Sequence, residues 1–295
     1  MLKSSGIFCL HFILLTAALL TSCSEQQLEA NRIKQVELVY VEWSSEVAST
    51  NVIRVVLEQQ GYTVTLTPVS AAAMWQAVAS GDADAMVAAW LPTTHGHYLK
   101  RVKNKVVDLG PNLEGTRIGL VVPEYVKVDS IADLNHYADR FRQRIIGMDP
   151  GAGLMSKTEQ MIDVYQLDLR LIEGSGATMV AALDDAIINK QWIVVTGWTP
   201  HWKFARWDLK YLADPKNVYG QTGQIHTVAR QGLQKSMPEV YRILDQFHWS
   251  AKEMMALMEQ NRHKGADPYQ NARQCVASHP EQVAKWLDKQ KDSPH

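Results

Sequence analysis

Three tryptophans, a glycine-rich turn and a histidine carry most of the chemistry legible in this chain. Trp43, Trp90 and Trp198 each follow an apolar, strand-like run. An indole in such a place is either core packing or a ring face offered to a ligand. Three indole faces around one space suit a quaternary ammonium, which has no N–H to donate and presents only diffuse charge and methyl surface. Each face attracts such a cation by roughly 0.5–2 kcal/mol. A second kind of recognition is written in Gly147-Met148-Asp149-Pro150-Gly151-Ala152-Gly153-Leu154. Its glycines let backbone approach a ligand closely. The helix that follows opens with unpaired N–H groups at its positive dipole end. The N–H groups of Gly153 and Leu154 are the expected carboxylate donors, and His95, one helical turn beyond Trp90, is a third.

Competing chemistries are less well supplied. His95 and His97 invite a metal reading, but no acidic partner lies at helical spacing from them and there is no His-Glu-x-x-His. Ser156 and His95 would pair in a hydrolase of choline esters only with an orienting acid and a Gly-x-Ser-x-Gly elbow, and the sequence places neither. We therefore expect no catalytic residue, no metal and no cofactor. Trp202, Phe204 and Trp207 read as packing, and Trp75, Trp192, Trp249 and Trp286 as core or surface aromatics.

The elements that must position these groups alternate between strand and helix. Val36–Trp43 is β-rich. Ser44 and Ser45 open a helix over Val47–Gln60 that Gly61 stops. Tyr62–Thr67 is a second strand, Ser70 caps a helix through Ala79, and Ala85–Ala89 is a third strand. This order implies a parallel α/β sheet. A second block follows Gly115: strands Arg117–Val122, Arg144–Met148, Leu169–Ile172 and Ile193–Thr196, with helices Leu154–Tyr165 and Gly176–Asn189 between them. Gly197 and Pro200 are read as the stop of the last strand, which sets Trp198 at its carboxyl end, where open α/β sheets bind ligands. The strand Ile225–Ala229 and the helices from Glu239 to Lys289 are expected to return to the first block. The result is two lobes with a cleft between them.

At 295 residues the chain is long enough for two domains. Its 30 basic and 31 acidic residues leave a net charge of −1, which gives no case for nucleic acid. Lys3 and the apolar stretch Ile7–Leu20 have signal-peptide character. Leu20-Thr21-Ser22-Cys23 resembles a bacterial lipobox, which implies export, cleavage before Cys23 and a lipid anchor on its thiol. Ser24–Ile33 reads as a tether. Cys9 then leaves with the leader, and Cys275 has no intrachain partner. The expected organisation is a signal peptide at 1–22, a lipidated tether at 23–35, a first lobe of 36–115 with 223–290, and a second lobe of 116–222.

Trp43-Ser44-Ser45-Glu46, Ala89-Trp90-Leu91-Pro92-Thr93-Thr94-His95, the turn from Gly147 to Gly153, and Thr196-Gly197-Trp198-Thr199-Pro200-His201-Trp202 together resemble the glycine-betaine-binding proteins of osmoprotectant ABC importers. The likeness runs from about Val36 to Trp286. It implies the two-lobed periplasmic-binding-protein fold of type II, each lobe a mostly parallel sheet flanked by helices, with the ligand in the cleft. It implies a trimethylammonium prism of Trp43, Trp90 and Trp198, and a carboxylate held by Gly153, Leu154 and His95. It also implies an ABC permease and its ATPase as partners, no catalysis, and a place on the outer face of the cell membrane. In one respect the sequence departs from the pattern. Relatives often carry an Asp one or two residues after the first prism Trp, where this chain has Ser44 and Ser45. That departure favours a betaine-type zwitterion over choline.

Overall fold

The computed structural model describes residues 34–289. The leader, Cys23 and the expected tether up to Ile33 lie outside them.

The described strands are β1 (Gln35–Tyr40), β2 (Thr63–Pro68), β3 (Ala85–Leu91), β4 (Val106–Pro123), β5 (Arg144–Ile146), β6 (Arg170–Ile172), β7 (Val195–Thr199), β8 (Leu209–Tyr211) and β9 (Gly223–Arg230). They pair in the order β2-β1-β3-β9-β4-β7-β5-β6, with β8 also on β4. β4 joins the two halves. Its Val106–Thr116 stretch pairs with β9, and Arg117–Val121 pairs with β7. The partner changes between Thr116, opposite Gly223, and Arg117, opposite Thr199. Parallel pairing belongs to the outer strands, β2-β1-β3 and β7-β5-β6. The pairs made by β4 and β9 are antiparallel. A chain that runs out into a second half and comes back must lay its return strand against the outgoing one.

The helix Ser44–Gln59 covers the first half of the sheet, and the helices Ala251–Asn261 and Pro268–Ser278 pack on it in turn. Ser250 and Glu253 form a capping box at the start of the former, and Asp267 caps the latter. The helices Gly153–Tyr165 and Gly176–Ile188 belong to the second half.

Three strand assignments shift. The strand expected from Arg117 begins at Val106. Gly110, Pro111 and Gly115 sit at the register shifts of the β4–β9 ladder. Gly110 and Gly115 take positive φ there. Trp90 and Trp198 lie inside β3 and β7 rather than beyond their ends. Gly197 does not stop β7. Instead it pairs with Gly119, and a Cβ on it would fall 2.2 Å from Val121 Cγ2, so its role is close packing against β4. Leu209–Tyr211, which has no strand signal of its own, pairs with the end of β4.

Candidate ligand-binding site

A cavity lies where the two halves meet. Trp43, Trp90, Trp198, His95, Gly153 and Leu154 all line it. Trp43 precedes the helix Ser44–Gln59 at its N-cap, while Trp90 and Trp198 project from β3 and β7. The sheet halves thus bring together residues far apart in the chain. Trp90 and Trp198 are buried and Trp43 is half-buried. Each of the two buried strand tryptophans stands one residue ahead of a cis X-Pro bond, Leu91-Pro92 and Thr199-Pro200.

Two of the indoles are held by carboxylates. Trp90 Nε1 donates to Glu46 Oε1 at 2.6 Å, and Ser45 Oγ donates to Glu46 Oε2 at 2.6 Å. Glu46 is 1% exposed and itself lines the cavity. Burial raises its pKa above the usual carboxylate value, against the opposing pull of these hydrogen bonds and its own backbone N–H. Trp43 Nε1 donates across the cleft to Asp149 Oδ2 at 3.0 Å, and Gly176 N–H donates to the same oxygen at 3.3 Å. Asp149 belongs to the glycine-rich turn, so this bond joins the two halves.

The opposite wall offers donors. Gly153 and Leu154 open the helix Gly153–Tyr165, whose N-cap is Ala152, a residue with no side chain to cap them. Neither N–H donates to an acceptor among the described residues. These are the free donors and the positive helix end that an anion needs. His95 stands beside them in a knotted turn. Its N–H and the Thr94 hydroxyl both donate to the Trp90 carbonyl, at 2.9 and 3.1 Å. Trp90 N–H donates to His95 Nδ1 at 3.2 Å, which leaves Nε2–H as the ring's donor. Burial, and then the neighbouring His97, push the His95 pKa down to about 3, so the ring is neutral. Trp75 meets it edge-on at 6.1 Å between centroids. The buried Trp75 therefore backs the site as well as filling the core.

The cavity pairs aromatic faces and a buried carboxylate on one side with unpaired N–H donors on the other. That is the arrangement of a receptor for a small zwitterion with a bulky cationic head. The sequence model described as "Substrate binding domain of ABC-type glycine betaine transport system" matches residues 34–278. The chain belongs to this family. It is 44% identical over 154 residues to the glycine betaine/carnitine transport binding protein GbuC of Listeria monocytogenes, a match spanning 51% of each protein. It is 43% identical to lactococcal OpuAC, whose crystal structure is a closed complex with glycine betaine. That likeness covers 86% of this chain and 100% of the other, with a TM-score of 0.83. The glycine/betaine/L-proline-binding protein ProX of Borrelia burgdorferi is 39% identical, covering 87% of this chain and 97% of that one, with a TM-score of 0.85. The two-lobed, type II periplasmic-binding-protein fold of this family is the architecture described above.

Sequence reasoning about this betaine-transport domain missed Glu46 and Asp149. The serines at 44 and 45 offer the cation side no acid. Glu46 supplies one, from the third position of the helix Ser44–Gln59. The signal lay in spacing, because residues three apart on a helix share a face and Glu46 is three beyond Trp43. The donors at Gly153, Leu154 and His95, not a missing carboxylate, are what would favour a zwitterion. Trp192 sits away from the site against Tyr137 and Phe141, with Arg140 3.7 Å over its ring.

Proposed function

We propose that this protein captures glycine betaine, or a related quaternary-ammonium zwitterion, outside the cytoplasm and delivers it to an ABC permease and its ATPase. The observation that carries this reading is the convergence on one cavity of three indoles with the unpaired amides of Gly153 and Leu154 and the Nε2–H of His95. Trp43, Trp90 and Trp198 surround the methylated cation, and the Glu46 carboxyl in the cavity wall holds the Trp90 indole. The carboxylate takes the helix end and His95. The lobes are 36–115 with 223–290, and 116–222. Ligand draws them together, because each supplies only part of the cage. Ser156 is exposed and outside the cavity wall while His95 is buried within it, which counts against a hydrolytic Ser-His pair.

Export and a lipid on Cys23 place the protein on the outer face of the cell membrane. Loss of membrane association in a Cys23→Ser variant tests the anchor. Calorimetric titration of a soluble form starting after Cys23 tests the ligand. Binding of glycine betaine in preference to choline is the expected result. Silence towards every methylated cation refutes the cage. A choline-binding role is favoured by one observation, the Glu46 carboxylate in the wall, and tighter binding of choline than of betaine in the same titration would establish it.

A further inference from the structure

Lys203 is a buried cation without an anion. It begins the short helix Lys203–Arg206 after the Thr199-Pro200 turn, and its exposure is 0%. Its Nζ meets no hydrogen-bond acceptor, and no carboxylate lies within 4.0 Å of it, among the described residues. A buried ammonium with no partner is costly and calls for a reason. Its nearest partner is an indole of the cage. Lys203 Nζ lies 4.1 Å from the ring centroid of Trp198 and 5.3 Å from that of Phe204. Lys203 does not line the cavity, whereas Trp198 does. The amine therefore covers a face of Trp198 turned away from the ligand space.

The surroundings supply no negative charge to it. Its own N–H donates to His201 Nδ1 at 3.1 Å, and His201 stands edge-on to Trp198 at 4.6 Å. Burial, then Lys203 itself, hold the His201 pKa well below the ordinary value, so that ring is neutral. Beyond Phe204, Tyr211 stacks at 5.2 Å with Arg117 over its ring. Trp202 carries Arg262 over its ring. The carboxylates of Asp184 and Glu259 are paired with Arg206 and Arg262. Across the cavity stand Glu46 and the neutral His95.

We propose that Lys203 sets the charge selectivity of the cavity: its ammonium on one face of Trp198 opposes a cationic head on the other, so that a ligand bringing its own carboxylate is accepted over a bare cation. Two cations on opposite faces of one indole compete for the same ring electrons, and they repel through a poorly screened interior. A zwitterion feels less of this, since its carboxylate is attracted by the same charge. Burial pushes the Lys203 pKa down to about 7, so the device is partly discharged near neutrality. The inference rests on the quaternary-ammonium reading of the cavity.

The test is the ratio of choline to glycine betaine dissociation constants in the unaltered protein and in Lys203→Met, by calorimetry near pH 6 and near pH 8. A ratio taken on one sample cancels any misfolded fraction. The unaltered protein is expected to bind choline better as pH rises and the amine loses its proton. In Lys203→Met the ratio falls by roughly tenfold near pH 6. What pH dependence remains there belongs to groups other than Lys203. The unaltered protein also provides a measurement that needs no variant. Titrations in buffers of different ionisation heat should show part of a proton released on choline binding, and less on betaine binding. A ratio unchanged within about twofold, with no proton release, overturns the inference while leaving the cavity reading intact. Silence of the unaltered protein towards both ligands overturns both.

Discussion

Replacing Gly153 by Ala should wedge the two lobes apart at the ligand. Gly153 begins a helix of the second lobe with its backbone against Thr94 of the first. A Cβ there would stand 2.3 Å from the Thr94 carbonyl oxygen and 2.7 Å from that carbonyl carbon and Cα. Ordinary contact begins near 3.4 Å, so Thr94 must withdraw by about 1 Å. Backbone cannot swing aside as the end of a side chain can. Thr94 is also tied to Trp90 through its hydroxyl, and His95 is tied to Trp90 in both directions. The withdrawal therefore carries the Trp90 face and the His95 donor away from the Gly153 and Leu154 amides. Overpacking of this kind costs about 1–3 kcal/mol, which corresponds to a betaine dissociation constant raised about fivefold to 150-fold. With the lobes apart the clash disappears, and Ala is the better helix former. Thermal stability without ligand should thus be unchanged or slightly higher, and the ligand-induced rise in Tm should shrink. Titration calorimetry and thermal unfolding with and without betaine read both quantities. Affinity within about twofold of the unaltered protein would refute the idea that Gly153 and Thr94 meet in the ligand-bound state.

Trp43→Ala, Trp90→Ala and Trp198→Ala should each weaken betaine binding by about tenfold or more, measured by the same titration. Unchanged affinity in all three would remove the cage. Asp149→Asn should weaken betaine binding about tenfold, because the Trp43 indole loses its charged acceptor across the cleft, while Tm without ligand barely moves. His95→Ala should cost betaine about tenfold to 100-fold in affinity, with choline little affected. Stability should fall on acidification. His95 and His201 stay neutral in the fold but take up protons in the unfolded chain below the ordinary value of 6.5. The unfolded state then binds more protons, so stability is lost as pH falls below that value. Tm followed from neutral to mildly acidic pH should show this decline, and His95→Gln should make it shallower.

Much of the site was legible because its signals are local. A Gly-Ala-Gly turn before an amphipathic run announces a helix end with free amides, and the positions of Gly153 and Leu154 follow. Trp90 and His95 are bound by one tight turn, so their association is written within six consecutive residues. The alternation of strands and helices set the fold class, and the late strand at Ile225 signalled a return to the first lobe. Less was legible where a residue's role depends on what packs against it. Gly110, Pro111 and Gly115 look like turn residues, and only the ladder with β9 turns them into bulges of one long strand. Gly197 looks like a stop, and only Val121 of β4 shows that it is a close-packing position.

The sequence by itself determined the repertoire: three indoles, a helix end stripped of a capping side chain, a histidine one turn past a strand, and the periodicities that fold them. It did so because capping, turn chemistry and hydrophobic period act over a few residues. Tertiary structure alone decided which of these groups meet. It brought Glu46 under Trp90, set Asp149 across the cleft from Trp43, and sealed Lys203 behind Trp198. Those contacts join residues separated by 44 and 106 positions in the first two cases. A buried charge takes its meaning from the space around it, and that space exists only once the sheet has closed across β4.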